Sequence, residues 1–280
     1  MKFIKSHYLF LIFSLFLFSF IDGNKKMNDW EKEHLNGKVK SIREYNYNKP
    51  IILNLSDTNY DLIIIYNKKG NQIEWNWNKG DEKGNKKIIT YNKSGNIIDE
   101  TISDKNGKVI LKDTYKYDNK RNLSEDNICL QYSGEDTTRY MDKYKCDNLG
   151  NKIEKDFYDK GIKYEGKNLY KYDEKRNLIE DDDYDKDEKL IRKNIFKYDE
   201  KGNLIENDFY EHGVDLTEKW IWKYDNYGNI TEQYRYDSFN KLMTNELYKY
   251  DYDKNGNWIK SIGINEQKTT FTNIRIIEYY

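Results

Sequence analysis

The sequence predicts an all-β protein: an elongated antiparallel β-hairpin repeat array, a meander- or solenoid-like sheet with about 26 residues per two-strand repeat. Three observations predict it. The phrase Tyr-Asp-x-x-Gly-Asn, followed by an aliphatic pair, recurs along the chain and is cleanest at Tyr198–Ile205. A fixed period of that size is the mark of a repeat architecture. Large apolar side chains keep step with the phrase at two registers. The array also holds no proline, since the single Pro of the chain, Pro50, precedes it. A proline-poor meander keeps its ladder hydrogen bonds.

The turn asparagines fall at Asn71, Asn96, Asn122, Asn151, Asn177, Asn203, Asn229 and Asn257. The three intervals from Asn151 to Asn229 are each 26 residues, and the others are 25, 26, 29 and 28. Five residues before each Asn stands a Tyr (Tyr66, Tyr91, Tyr117, Tyr172, Tyr198, Tyr224, Tyr252), with Cys146 in its place once. Seven before it stands Ile64, Ile89, Tyr115, Tyr144, Tyr170, Phe196, Trp222 or Tyr250. Two residues apart on a strand means one face.

Each copy reads as two strands. Gly and Asn supply the positive φ that tight hairpin turns need. Second turns are expected at Gly161, near Asp187, at Gly213 and near Ser238, giving roughly sixteen strands of ordinary length. Arg121 and Arg176 replace the turn Gly, and the following Asn122 and Asn177 are expected to take the positive φ instead.

The ends are different. Lys2 and Lys5 precede the apolar run Tyr8–Ile21, the pattern of a secretory signal peptide over residues 1–23. Whether it is cleaved or kept as an anchor stays open. Residues 24–62 read as an N-terminal cap, with a short helical piece at Trp30–His34 and a turn and strand across Leu35–Ile42. The array spans 63–259. Residues 260–280 read as a C-terminal capping strand, because exposed sheet ends invite edge pairing.

Composition alone points to disorder: 35% of residues are charged and mean hydropathy is −1.07. The pattern overrules it, because the 27 Tyr and 6 Trp fall largely at strand positions. Net charge is −1, with both signs interspersed. Nucleic acid, which wants a basic stripe, is excluded as a partner, and so is a polybasic membrane patch. No transmembrane span is expected once the signal segment is gone.

The repeated Tyr-Asp-x-x-Gly-Asn-Leu-Ile, best at Tyr172–Ile179, Tyr198–Ile205 and Tyr224–Ile230, resembles the YD repeats of the bacterial Rhs/YD-repeat family, in its small exported form. The likeness covers about two thirds of the chain. In large members such repeats form shells around toxins or carbohydrate-binding surface proteins. The resemblance implies a β scaffold, a secreted, periplasmic or cell-surface location, and binding as the role. This chain is too short for a cage of that kind and shows no toxin domain.

No residue set announces a reaction. Trp75/Trp77 and Trp220/Trp222 are pairs two residues apart. Such pairs serve either sheet packing or a platform for sugar rings, and Trp75 and Trp220 are the better ligand candidates. Cys129 and Cys146 lie on consecutive strands, within reach of a disulfide in an exported chain. Asp181–Glu188 and Asp251–Gly256 carry the oxygens calcium wants, but Ile262 stands where an EF-hand loop needs its bidentate Glu, and they read as solvated turn carboxylates. No catalytic residue, metal or cofactor is assigned. The expected function is a non-enzymatic, exported binding or structural module of the cell envelope, its partner a glycan or envelope protein. Alternatives are a carbohydrate-active enzyme, or an accessory or immunity partner of a toxin. Oligomeric state and sheet closure stay open.

Overall fold

The computed structural model describes residues 27–47, 60–131, 137–265 and 270–280. The expected signal segment, residues 1–23, and Pro50 lie outside them. A short helix, α1 (Asp29–Lys32), precedes β1 (Val39–Tyr47). Eight hairpins follow, one per repeat. They are β2 (Leu62–Tyr66) with β3 (Gln72–Trp77), β4 (Lys86–Tyr91) with β5 (Ile97–Ser103), and β6 (Val109–Tyr117) with β7 (Leu123–Gln131). Next come β8 (Thr137–Cys146) with β9 (Lys152–Asp159), β10 (Lys163–Tyr172) with β11 (Leu178–Asp185), and β12 (Leu190–Tyr198) with β13 (Leu204–Glu211). The last are β14 (Asp215–Tyr224) with β15 (Ile230–Asp237) and β16 (Leu242–Tyr252) with β17 (Trp258–Asn265), before a final β18 (Thr270–Tyr279).

The turn chemistry explains the hairpins. In the copy at Asp199, its N–H donates to the Asn203 carbonyl (3.0 Å) and the Gly202 N–H donates back to the Asp199 carbonyl (3.0 Å). The Asp199 carboxylate accepts the Asn203 N–H (2.8 Å) and amide (2.8 Å). This is a type I turn closed by a left-handed residue, a common hairpin connection. That residue is Gly202 at φ 85, but in two copies it is Arg121 at φ 71 and Arg176 at φ 70. The left-handed position therefore stays with the arginines and does not move to Asn122 and Asn177. Arg176 is compensated: its guanidinium donates to the Leu149 carbonyl (2.6 Å) and to Asn151 Oδ1 (2.8 Å) in the neighbouring turn.

The tyrosine five residues before each turn Asn has a defined task. Between β11 and β12 the ladder begins at Glu180 opposite Ile195, so the Leu178 carbonyl lies beyond its end. The Tyr198 hydroxyl donates to that carbonyl at 2.8 Å. Tyr91, Tyr117, Tyr172 and Tyr224 cap Gln72, Ile97, Lys152 and Leu204 in the same way. A buried carbonyl left unpaired is costly, and the ring supplies the bond where successive hairpins splay apart. Cys146 reaches for the equivalent Leu123 carbonyl with its sulfur at 3.8 Å. The 28-residue copy shifts the task by two, so Tyr250 caps Ile230 (2.8 Å) and Tyr252 bonds the Asp225 carboxylate.

The sheet closes. Each strand from β2 to β18 pairs antiparallel with the next, and β1 lies between β18 and β2. The expected elongated, solenoid-like array is therefore corrected to an 18-stranded barrel. Two features close it. Every one of the eight hairpins carries a bulge at its Tyr, or at Cys146. A bulge bends its strand and raises the twist, and eight at one end curve the wall in one sense. The N-terminal cap then supplies β1 as the joining strand, with Arg275 bonded to Glu44 across the seam at 2.8 Å. Closure removes the exposed edges that an open sheet would present.

The tyrosine face is the inner one. Residues 28–36 lie against it: Asp29 accepts from Tyr91 on β4 (3.3 Å), and the Asn36 N–H donates to Asn257 (2.7 Å) in the β16–β17 turn. His34 sits against Gly228 in the β14–β15 turn. Eight strand spacings separate β4 from β14 through β1, about 38 Å along the wall. Nine residues reach about 30 Å at full stretch, so they run as a chord across the mouth of the bore. The conventional core sits beneath them: Val39, Ile42, Ile64, Tyr66 and Trp75, packed by Trp30, Leu35 and Trp77. Elsewhere most side chains on both faces are half-exposed, because barrels of this strand number keep an aqueous bore and the wall meets water twice.

Candidate functional site

The bore has a fixed part and a varied part. At the turn end stand the aromatics, held out of water. Burial is the largest cause raising the hydroxyls of Tyr117, Tyr224 and Tyr250, each to about 12. On the outer face Tyr234 is raised first by its hydrogen bond to Glu232. Midway along the bore are two registers, nine residues before and four residues after each turn Asn, and here the chemistry changes from hairpin to hairpin.

Three hairpins place complementary partners at these two registers. Lys87 faces Glu100 (3.1 Å) in β4–β5, Lys155 meets Asp142 (2.5 Å) in β8–β9, and Asn168 donates to Asp181 (2.7 Å) in β10–β11. Asn194 and Asn207 are both neutral. The β14–β15 hairpin places Trp220 with Gln233. Trp220 and Trp222 lie 6.1 Å apart with ring planes 12° from parallel. Their indole N–H groups donate to Glu218 (3.1 Å) and Gln233 (3.0 Å). Arg235 stacks on Trp220 at 5.6 Å and holds Glu218 through its Nε (3.0 Å), and this pairing is the largest cause lowering the Glu218 pKa. The result is a half-exposed aromatic shelf rimmed by a carboxylate, a guanidinium and an amide.

The other tryptophan pair is different. Trp75 is 7% exposed, built into the core, and donates to Gln72 at 3.0 Å. Trp77 packs on the same cluster. The expectation that Trp75 is among the better ligand candidates is corrected: α1 and the seam cover it.

Cys129 and Cys146 are both free. Cys129 lies opposite Arg139, and Cys146 stands seven residues farther along β8, about 23 Å away. They also occupy opposite faces, so the expected bridge is ruled out by register. The acidic stretch 181–188 is accounted for by partners: Asp182 with Lys193 (3.2 Å), Asp183 with Arg192 (2.9 Å), and Glu188 with Lys167 (2.6 Å). Asp185 accepts its own turn N–H groups from Asp187 (2.9 Å) and Lys189 (3.0 Å).

The sequence reading missed one hairpin. At the two varied registers β6–β7 carries Asp113 and Asp126, both acidic, 9% and 6% exposed. Tyr144 donates to Asp126 Oδ2 (2.7 Å), but Oδ1 of each aspartate has no hydrogen-bond partner. A buried acceptor left unpaired costs about 1–3 kcal/mol. Burial, then the neighbouring carboxylates, raise Asp113 to about 7, and burial is also the first cause raising Asp126. The signal was present in the sequence, as two acids in registers that hold complementary or neutral partners in the other hairpins.

No family model and no curated protein matches the chain. Among solved structures, the chain is similar to a porin-like protein from Bacteroides uniformis, at 11% identity and a TM-score of 0.42, with 87% of this chain and 98% of that one covered. It is similar also to the TcdB2-TccC3-TEV structure, at 12% identity and a TM-score of 0.30, with 75% of this chain covered. The match takes in 15% of the length of that chain. Likenesses at these scores carry no conclusion about fold or role.

Proposed function

We propose that this chain is a non-catalytic binding module of the cell envelope, a hollow barrel that takes a carbohydrate-class ligand on the Trp220/Trp222 shelf. The observation that carries the reading is that shelf: two nearly parallel indoles on the bore wall with Glu218, Arg235 and Gln233 at the rim. Flat apolar rings match the C–H face of a pyranose, and the polar rim matches its hydroxyls. Such sites are concave, largely apolar and set by a few placed polar groups. The YD-type repeat supports the scaffold reading, and the charged start with its apolar run supports export.

The wall stands in water in this reading. A membrane-spanning barrel needs an outward apolar band about 25 Å tall. Here Lys171, Glu180 and Lys193 are linked across the outer face of three neighbouring strands, as are Lys197, Glu206 and Lys219. Among the described residues no helix is long and apolar enough to cross a membrane.

The test is a glycan array with the full chain, followed by tryptophan-fluorescence titration of each hit. The expected result is a saturable spectral shift that W220A and W222A each weaken at least tenfold. Absence of any glycan signal at millimolar concentration, or hits unaffected by both substitutions, refutes the reading.

A further inference from the structure

We propose that the β6–β7 hairpin carries a second subsite, for a primary ammonium group of a bore-entering ligand, held between the carboxylates of Asp113 and Asp126. The site lies seven strands from β14 in the ring and goes beyond the shelf reading.

Three observations carry it. First, in the three other hairpins that place a carboxylate at these registers a partner from the same hairpin answers it, Lys87 for Glu100, Lys155 for Asp142 and Asn168 for Asp181, but Asp113 and Asp126 answer no cation of their own hairpin. Second, both side chains are more than nine-tenths buried and the Oδ1 of each has no hydrogen-bond partner. Two acceptors without donors are complementary to a group that donates several hydrogen bonds and carries positive charge. An ammonium has three donors and no acceptor. Third, the Tyr144 ring that bonds Asp126 already receives such a group, the Lys152 ammonium at 4.5 Å, which faces Asp126 and leaves Asp113 without a cation. Aromatic faces attract cations by their quadrupole.

A metal ion fits less well. Calcium takes six to eight oxygens, and among the described residues no group of three or more His, Cys, Asp and Glu is placed to hold one. The nearest further carboxylates are engaged, Glu100 with Lys87 and Asp142 with Lys155.

The groups facing Asp113 fix the pH dependence. Tyr115 lies on its own strand, Glu100 comes from β5, Asp126 from β7 and Asp142 from β8. The charges facing Asp113 are negative, while Lys155 and Lys152 of β9 face Asp126 and partly offset its burial, so it is Asp113 that holds a proton near neutrality in the free site, and a bound ammonium displaces it. Affinity therefore rises with pH through about 7, by about tenfold between pH 6 and pH 8.

Calorimetric titration of the full chain with spermidine tests this, in two buffers of different ionisation enthalpy. The expected result is saturable binding with proton release, about tenfold weaker at pH 6 than at pH 8. D113N and D126N should each weaken it at least tenfold, while D181N, whose residue is already partnered by Asn168, and W220A leave it unchanged. The pH series on the native chain needs no variant, and far-UV circular dichroism identifies a variant that has not folded. No binding, binding in D113N and D126N as tight as in the native chain, or calcium binding that displaces spermidine overturns the proposal. Loss of glycan binding in W220A with spermidine binding intact separates this site from the shelf.

Discussion

Truncating Ile42 asks where the stability of a hollow barrel resides. Its side chain is fully buried at the seam, opposite Ile277 on β18 and Ile64 on β2. Ile42→Ala removes three carbons, a transfer term of about 2.4 kcal/mol at about 0.8 per group. The cavity adds to it, because β1 is pinned on both sides and cannot collapse inward, for a total of about 3–4 kcal/mol. Ile195→Ala makes the same deletion on the outer face of β12, opposite Glu180 and Asp208. That residue is half-exposed, so the loss should be about 1 kcal/mol. In a chain of this size the two correspond to about 10 °C and about 3 °C in midpoint temperature. Urea unfolding followed by tryptophan fluorescence and circular dichroism reads both, as midpoint shifts at constant slope. Equal losses at the two sites would show that the seam holds no special core and would refute the reasoning.

Tyr198→Phe removes only the hydroxyl that caps Leu178 and should cost about 1 kcal/mol in the same assay, with amide exchange accelerating between β11 and β12 rather than globally. Arg121→Gly should stabilise by about 1 kcal/mol by relieving a left-handed non-glycine residue, whereas Arg176→Gly should be near neutral, because it also loses the bonds to Leu149 and Asn151. Glu33, the half-buried residue that ends α1, is bonded by Tyr66 (2.6 Å) and Gln72 and is raised to about 7 mainly by burial. A raised folded-state pKa means the folded chain binds the proton more tightly than the unfolded one, so stability falls as pH rises from about 4.5 to 7, by up to about 3 kcal/mol. Glu33→Gln should flatten that slope, and an unchanged pH profile would refute it.

The repeat made the hairpins, their turns and the common face of the aromatics legible, because period 26 and spacing two translate directly into geometry. Closure was not legible. Periodicity reports the pairing of neighbours, and the joining strand β1 carries no copy of the phrase. The bulges that curve the wall lie at Tyr66, Tyr91 and their equivalents, and no residue type announces a bulge. The separation of the two cysteines is legible in the repeat register. Cys129 shares its register with Tyr158, Tyr184 and Tyr210, on the outer face, and Cys146 shares the inner register of Tyr172. Trp220 and Trp75 occupy comparable inner positions, but only the tertiary docking of residues 28–36 separates a free shelf from a covered one.

Scaffold and site are separated along the strand axis. At the turn end each copy repeats a carboxylate or Asn amide closing the turn and a left-handed residue, and six of the eight add a ring that caps the carbonyl beyond the ladder. These bonds are local and nearest-neighbour, so they hold the wall whatever stands in mid-bore. The outer ion pairs add little, since exposed pairs are worth about 0–1 kcal/mol, and their effect is to keep the wall wetted. Mid-bore positions are thus released from structural duty in most hairpins, and they carry lysine against glutamate, amide against carboxylate, indole against amide, and once carboxylate against carboxylate. A barrel built this way can change what it holds by substitution at two registers without disturbing the turns that keep it closed. That is the physical reason to seek its ligands midway along the bore rather than at its rims.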